Sequence, residues 1–233
     1  MDSFQKIAAD KIKKNYKKRT DNNIYSLLNL DMRIIRFEIL ELIGSALKSK
    51  FQITDLENIK FIDVGCGDGK FLREMINFGV KPENMIGIEL IKQRSIEARS
   101  TLPESIKIYN NDFLETELQN NSFDIALQSL VFSSILDHDI QSKIAKKMIR
   151  VLKPGGIIIW WDFTYDNPKN KDVLGVPIKN VKLLFPEADF EYKRVTLAPP
   201  IARMFNNSRF MLKMLNKLPF LKTHILCIIT KRI

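Results

Sequence analysis

A short apolar run that ends in a glycine cluster is the feature of this sequence that most restricts its fold. Residues Ile59 to Val64 are apolar and partly β-branched, which predicts a buried parallel strand. The run closes on Asp63-Val64-Gly65-Cys66-Gly67-Asp68-Gly69, and a helix is expected from Lys70 to Phe78. Alternate glycines let the backbone turn sharply and approach a ligand where a Cβ would block it. A strand, a glycine turn and a helix in this order predict an α/β domain with its ligand site at the turn.

The rest of the chain alternates between strand-like and helix-like segments. This alternation predicts a mostly parallel sheet with helices on both faces. A long amphipathic helix is expected at 24–48, after a more polar helix at 3–18. The further strands are predicted at 85–90, 106–110, 123–128, 157–162, 190–197 and 224–231, and the further helices at 92–102, 140–152 and 178–185. Pro154-Gly155-Gly156 is read as a structural turn into the fifth strand.

The length of 233 residues suits one sizeable α/β domain and is short for two independent cores. We predict an N-terminal helical extension at 1–50 and one domain at 51–233, with a helical insertion near 198–222. Apolar and basic residues alternate at helical spacing in that insertion, which predicts a basic amphipathic helix. Such a helix could cap a pocket, rest on an anionic membrane, or pack on the fold with its lysines in water, and the last is slightly favoured.

The positive charge is concentrated at the two ends of the chain. Residues 1–20 carry seven Lys or Arg and two Asp, and residues 201–233 carry seven Lys or Arg and no acid. Such ends could meet nucleic acid, anionic lipid or a phosphorylated substrate, or could simply be a solvated surface. Two distant cysteines and two histidines offer neither a disulfide framework nor a zinc cluster, so we expect no metal. The charged N-terminus and the lack of a long apolar run lead us to expect a cytoplasmic protein, with peripheral membrane contact left open.

The spacing of the glycines separates two kinds of ligand site. A dinucleotide fingerprint would need its third glycine at position 70, where the chain has Lys70. It also would not call for an acid two residues ahead of the first glycine, where Asp63 stands. A zwitterionic amino acid needs an acceptor at such a loop, whereas a pyrophosphate needs donors. The alternative is a turn that uses glycines only for its geometry.

The segment D-V-G-C-G-D-G closely resembles the first motif of class I S-adenosylmethionine-dependent methyltransferases. The resemblance implies a Rossmann-like sheet of seven strands, mostly parallel with the last strand antiparallel. It implies S-adenosyl-L-methionine as the cofactor and S-adenosyl-L-homocysteine as the product. In this family the loop, here with Gly65, Cys66 and Gly67, holds the methionine part of the cofactor. The resemblance implies that Asp63 binds the ammonium group directly or through water.

Further cofactor residues follow from the same resemblance at the ends of the next strands. Glu89, beside Leu90, is expected to accept from the ribose hydroxyls, although it could be an exposed strand-end acid. Asn111-Asp112-Phe113 is expected at the adenine, with the Asp112 carboxylate on the exocyclic amine and Phe113 beside the ring; alone, this tripeptide is only a turn. Gln128 is expected to line the pocket near the transferred methyl.

Candidates for the acceptor side follow the fifth strand. Residues 160–170 are rich in aromatic and hydrogen-bonding groups, and we expect Trp161, Tyr165 and Asn167 to contact the acceptor. Asp162 is the first candidate to orient or deprotonate the acceptor, against the alternative of a turn acid. His138 is a second candidate, although Asp137 as a helix N-cap would leave it at the surface.

A wider resemblance covers most of residues 23–232. The stretches Val131 to Asp137, Trp161 to Val173, and Leu197 to Pro200 look like a bacterial methyltransferase subgroup often found among genes for surface polysaccharides. This implies O-methylation of a saccharide or a related small-molecule or lipid-linked intermediate. An RNA or protein methyltransferase that binds through its basic ends is the alternative, and nucleic acid is not favoured because no RNA-binding module is recognisable. The sequence does not predict the oligomeric state.

Overall fold

The centre of the protein is a twisted sheet of seven strands. The structure, a computed structural model, describes Asp10 and residues 26–166 and 172–232. Strands run in the order β3-β2-β1-β4-β5-β7-β6, and β7 is antiparallel to both of its neighbours while the other pairs are parallel. This confirms the predicted Rossmann-like sheet. The strands are β1 (Phe61–Val64), β2 (Met85–Ile88), β3 (Lys107–Tyr109), β4 (Phe123–Ser129), β5 (Leu152–Phe163), β6 (Ala188–Leu197) and β7 (Lys222–Lys231).

Helices cover both faces of this sheet, as expected for βα repetition. The expected helix at 3–18 lies outside the described residues, apart from Asp10, which is helical. The long helix begins later than predicted, because residues 26–29 form a turn in which Asn29 N donates to Ser26 O. The described helices are α1 (Leu30–Lys50), α2 (Lys70–Asn77), α3 (Lys92–Thr101), α4 (His138–Val151), α5 (Ile178–Leu184), α6 (Pro199–Met204) and α7 (Arg209–Leu215).

Two apolar layers sandwich the sheet, and β5 shows how one strand feeds both. Ile157 and Ile159 pack into the layer under α1 and α2, whereas Ile158 and Trp160 pack into the layer under α4 and α5. Successive side chains of a strand point to opposite faces, so a strand buried on both sides reads as a continuous apolar run. Cys227 on β7 is fully buried in the second layer.

The entry to β5 differs from the prediction. Leu152 already pairs with Phe123, and an irregularity in the pairing follows before Ile125 meets Ile157. The segment Leu152 to Gly156 is therefore part of the sheet rather than a turn that precedes it. Gly155 absorbs the irregularity with a φ of 75°, a conformation that favours glycine.

The start of α1 and the C-terminal insertion pack together at one edge of the sheet. Because β7 is antiparallel, its first residues lie beside the carboxyl end of β5, where Phe163 pairs with His224. A third apolar cluster joins Leu30 and Ile34 of α1 to Leu212 of α7. We call this layer, residues 30–38 with 197–222, the cap. It lies at the edge to which the carboxyl ends of the parallel strands point.

Candidate functional site

The loop after β1 is a glycine cradle folded back over the end of β2. Gly65, Gly67 and Gly69 all have φ between 60° and 80°. The backbone amides of Gly65 and Cys66 both donate to the carbonyl of Ile88, at 2.8 and 3.0 Å. A Cβ on Gly67 would lie 2.3 Å from a guanidinium nitrogen of Arg94. The cradle therefore needs glycine for its backbone angles, and the Arg94 side chain lies over Gly67.

Asp63 lies beneath this cradle as a buried carboxylate in need of donors. It is 1% exposed, and neither of its oxygens has a hydrogen-bond partner within the described residues. Burial, and then the neighbouring charge of Glu89, raises the pKa of Asp63 to about 8. An unpaired buried carboxylate is costly, and a cationic donor such as an ammonium group would relieve that cost. The buried, unpaired side chain of Asp63 therefore suits a positively charged ligand.

Glu89 ties the cradle to the end of β2. One carboxylate oxygen accepts from Gly67 N at 2.8 Å, and the other accepts from Ile91 N at 2.8 Å. The Arg94 guanidinium lies 3.9 Å away. A carboxylate has about four acceptor positions, so two remain for hydroxyl donors. Glu89 can hold the loop and still accept from a ribose.

The loop after β3 is fixed from below by a buried lysine. Lys147 of α4 donates to the carbonyls of Phe113 and Thr116, each at 2.6 Å, and its ammonium lies 5.1 Å from the centre of the Phe113 ring. The Phe113 ring is 5% exposed and belongs to the core. Asp112 accepts from Leu114 N, and Asn111 accepts from Asp112 N. The predicted tripeptide is a hydrogen-bonded turn in the loop at the carboxyl end of β3.

Three other predicted cofactor residues take different positions. The Cys66 side chain points into the core against Gly87, and burial raises the pKa of its thiol, so only its backbone faces the loop. Leu90 is half-buried, and its carbonyl accepts from Asn110. Gln128 is fully buried at the end of β4, where its side-chain oxygen accepts from Val131 N at 3.1 Å. Its amide nitrogen is unpaired among the described residues.

Asp162 lies at the carboxyl end of β5, as predicted, but fully buried. One oxygen accepts from Ser133 N at 3.1 Å and the other from Phe163 N at 2.8 Å. Burial raises the pKa of Asp162 to about 6. The carboxylate fastens the loop after β4, which turns at Leu130 with a φ of 60°. A part in catalysis stays a prediction for this residue.

The other predicted acceptor residues lie apart from one another. His138 is exposed at the start of α4 and contacts Gln141, while Asp137 caps the helix by accepting from Asp139 N and Ile140 N, as predicted. The Tyr165 hydroxyl bonds to Arg194 on β6. Asn167 lies outside the described residues.

Trp161 is half-buried and packs on the apolar layer under α1 and α2, whereas its neighbour Trp160 belongs to the core of the other layer. The Trp161 ring meets Phe71 of α2 edge-on, with 6.1 Å between centroids, and stacks on His224 of β7 at 5.3 Å. Its indole nitrogen donates to the Thr196 hydroxyl at 3.3 Å. Thr196 N in turn donates to Glu38 of α1, which also pairs with Lys222. The half-buried indole therefore contacts α2, β6 and β7, and Thr196 links it to α1.

Comparison with known proteins agrees with this geometry. Residues 62–160 match the family model described as a methyltransferase domain. The sterol 24-C-methyltransferase of Aspergillus fumigatus is 29% identical over 136 residues, 52% of this chain and 34% of that protein. The sarcosine/dimethylglycine N-methyltransferase of Aphanothece halophytica is 28% identical over 116 residues, 48% of this chain and 39% of that protein. The matched stretch thus spans well under half of these relatives' length.

Solved structures agree on the fold. An S-adenosylmethionine-dependent methyltransferase from Mesorhizobium loti superposes with a TM-score of 0.57 at 17% identity, over 80% of this chain and 96% of that one. The matched residues of the family model begin inside β1, one position before Asp63, and end inside β5. Residues 62–160 therefore match a methyltransferase domain, on a fold shared with S-adenosylmethionine-dependent methyltransferases.

The residues of this methyltransferase domain fit S-adenosylmethionine as its cofactor. The unpaired carboxylate of Asp63 suits the ammonium group, and Glu89 has acceptor positions left for the ribose. When bound, the cofactor supplies a methyl group on a positively charged sulfur. The chain's part is to hold the acceptor in line with that group and to exclude water.

The methyltransferase domain also has site residues that its sequence did not single out. Arg94 lies over Gly67, and its charge offsets part of the rise in the pKa of Asp63 that burial and Glu89 cause. Lys70 opens α2, and burial followed by the charge of Arg36 lowers its pKa to about 8. Both follow directly after loops at strand ends, and that position is the one signal that could have pointed to them.

Two kinds of feature are not seen in the described part of the chain. It has no group of three or more His, Cys, Asp or Glu side chains placed to hold a metal ion. Among the same residues, no helix has the length and apolar character that crossing a membrane requires.

Proposed function

We propose that the protein transfers a methyl group from S-adenosylmethionine to a hydroxyl group of a saccharide or a related small-molecule or lipid-linked intermediate. The observation that carries this proposal is the position of Trp161. Its ring is anchored at Phe71, two residues after the glycine cradle, and at Thr196 beneath the cap. An aromatic face beside the methyl donor is a surface on which sugar rings can dock.

A roofed acceptor side supports a compact acceptor. Glu38 joins α1 to β6 and β7 through Thr196 and Lys222, and the side-chain oxygen of Asn206 accepts from Asp31 N at 3.0 Å. These links hold the cap over the edge where β4 and β5 end. An acceptor that enters beneath such a roof is small, or extends from it as the end of a lipid-linked chain.

Asp162 is the group we propose to act on the acceptor hydroxyl. Its pKa of about 6 leaves it mostly ionised near neutral pH, and the backbone amides of Ser133 and Phe163, with the side chains of Ser133 and Gln128, favour the ionised form. A carboxylate at this strand end could orient the hydroxyl and take its proton as the new bond to carbon forms. His138 stays a second candidate, and its exposed position on α4 makes it the weaker one.

Transfer of the radiolabelled methyl group to a panel of acceptors tests this proposal. The panel contains nucleotide sugars and lipid-linked glycans, with a sterol and sarcosine because relatives bear those acceptors in their names. RNA and protein serve as macromolecular controls. Label in a saccharide supports the proposal, and label only in the sterol, in sarcosine or in a macromolecule refutes it.

Trp161→Ala supplies the matched variant for the active acceptor. The substitution should raise the KM for the acceptor. It should leave the affinity for S-adenosylhomocysteine unchanged, because the ring contacts and hydrogen bond of Trp161 go to Phe71, His224 and Thr196 and not to the predicted cofactor residues. An unchanged KM would remove Trp161 from the acceptor site.

A further inference from the structure

The helix α7 carries an apolar stripe on the side that faces away from the protein. Leu212 is 1% exposed and points into the cap, as its place in the third apolar cluster shows. Phe210 and Met214 stand four residues apart, on the side of the helix opposite Leu212. They are 71% and 49% exposed. The outer side of a helix in a water-soluble domain is ordinarily polar, so this stripe needs an explanation.

Other large apolar side chains near α7 are exposed in the same way. Met204 ends α6, and Leu218 and Phe220 lie in the turn between α7 and β7. The Phe220 ring is 72% exposed and Met204 is 75% exposed. Single exposed apolar residues are common on any protein, but five within 204–220 form a cluster. We call these five side chains the outer face of the cap.

Basic side chains flank this outer face. Arg209 and Lys213 form their own stripe on α7 beside Phe210 and Met214, whereas Arg203 lies on α6 and Lys217 follows α7. All four are exposed, and none has an acidic partner within the described residues. The chain from 201 to 233 contains no Asp or Glu at all. Every charged side chain within 201–221 is thus basic.

We propose that the outer face of the cap docks on an anionic lipid bilayer. Exposed Phe and Met side chains between Lys and Arg side chains are the pattern of a helix that lies in the membrane interface. The apolar side chains enter the boundary of the acyl chains while the basic ones meet lipid phosphates. The positive charge fits an anionic surface. A nucleic acid would pair with the basic side chains but would leave the apolar side chains exposed to water, whereas a bilayer covers both. Docking does not depend on which acceptor is methylated.

Docking of this face would put the acceptor side next to the bilayer. The inner side of the same cap is tied to the site through Glu38, Thr196 and Trp161. A lipid-linked acceptor could then reach the site without leaving the membrane. Membrane binding and acceptor choice remain separate measurements.

Vesicle flotation with the full-length protein tests the docking. Vesicles of phosphatidylcholine with one quarter phosphatidylglycerol are compared with pure phosphatidylcholine, at low and at high salt. The protein should float with the anionic vesicles, less so at high salt, and much less with the neutral ones. Phe210→Ser with Phe220→Ser should weaken binding about tenfold, and Lys213→Gln should weaken it about fivefold at low salt.

Matched controls come from other surfaces. Leu183 on α5 is 78% exposed and lies outside the cap, so Leu183→Ser removes an exposed apolar side chain elsewhere. Lys60 precedes β1 at the opposite edge of the sheet, so Lys60→Gln removes a distant charge. Both should float like the wild type. Unchanged affinity for S-adenosylhomocysteine in each variant shows that the fold is intact.

Three results would overturn the proposal. The first is a wild type that does not float with anionic vesicles, or floats equally with neutral ones. The second is a Phe210→Ser, Phe220→Ser variant that floats like the wild type. The third is evidence that something else covers the outer face. Either sedimentation velocity shows a dimer that these substitutions dissociate, or the protein binds RNA and does not bind vesicles.

Discussion

Replacement of Asp63 by Asn should separate the cofactor affinity of this protein from its stability. The carboxylate is buried under the glycine cradle without a hydrogen-bond partner in the described residues, and its pKa is raised to about 8. At pH 7 the free protein therefore holds this group mostly protonated. Binding of a cationic ammonium favours the ionised form, so cofactor binding should release close to one proton near neutral pH.

The size of the effect follows from two opposing terms. Loss of one partner from a buried ion pair costs about 3–5 kcal/mol. Ionising Asp63 at pH 7 from a pKa of about 8 already uses about 1.4 kcal/mol of that gain. Asp63→Asn should therefore lose about 1.6–3.6 kcal/mol of cofactor binding, which is about 15- to 400-fold in Kd.

Calorimetric titration with S-adenosylhomocysteine measures this effect across pH. The wild-type affinity should rise about tenfold per pH unit up to about pH 8 and then level off, because Asp63 ionises there. An asparagine side chain does not ionise, so the slope due to this position should vanish in Asp63→Asn. Titration in two buffers of different ionisation enthalpy counts the proton released.

The stability of the free protein provides the control. A carboxyl with a folded pKa of about 8 and an unfolded pKa near 3.8 contributes stability that is present below pH 4 and lost as the pH rises to 8. Asp63→Asn should therefore melt no lower than the wild type at pH 8, even though it binds poorly. Equal affinities of the two proteins at pH 8, or proton-free binding by the wild type at pH 7, would refute this role of Asp63.

Three further predictions concern the supports of the site. Gly67→Ala should destabilise the protein by about 1–2 kcal/mol, measured as a lower Tm, because a side chain is strained at a φ of 60°; an unchanged Tm would contradict this. Lys147→Met leaves the carbonyls under Phe113 without their donor and should cost about 2–3 kcal/mol, or about 5–10 °C in Tm by calorimetric scanning; an unchanged Tm would show that the lysine is dispensable. His224 has a pKa lowered by burial to about 3, so it adds stability present above pH 6.5 and lost as the pH falls towards 3. In acid titrations of Tm, His224→Gln should lose less stability than the wild type over that interval, and parallel curves would contradict the assignment.

The position of the loop after β1 was predictable because its signals are local. The order of strand, glycine turn and helix fixes where Asp63 and Gly67 lie, and parallel pairing of β1 with β2 brings Glu89 to the same edge. Glu89 then bonds to Gly67 N, which spacing alone does not reveal. The seven strands were predictable for the same reason, since buried parallel strands read as short apolar runs.

The surroundings of Trp161 were less predictable, because segments that are distant in sequence form them. Trp161 meets His224 only through the antiparallel pairing of β5 with β7, and meets Thr196 only because β6 lies beyond β7. Arg94 reaches over Gly67 from a different βα unit. The early start of β5 was missed because a Pro-Gly-Gly segment ordinarily marks a turn, while here the pairing irregularity accommodates it.

A crystal structure with S-adenosylhomocysteine tests the central claim most directly. The claim predicts the ammonium within hydrogen-bond distance of the Asp63 carboxylate and the ribose hydroxyls on Glu89, above the glycine cradle. The sulfur should then face the side of Trp161. Density for the nucleoside in another cleft, or an Asp63 carboxylate that still has no partner in the complex, would contradict the claim.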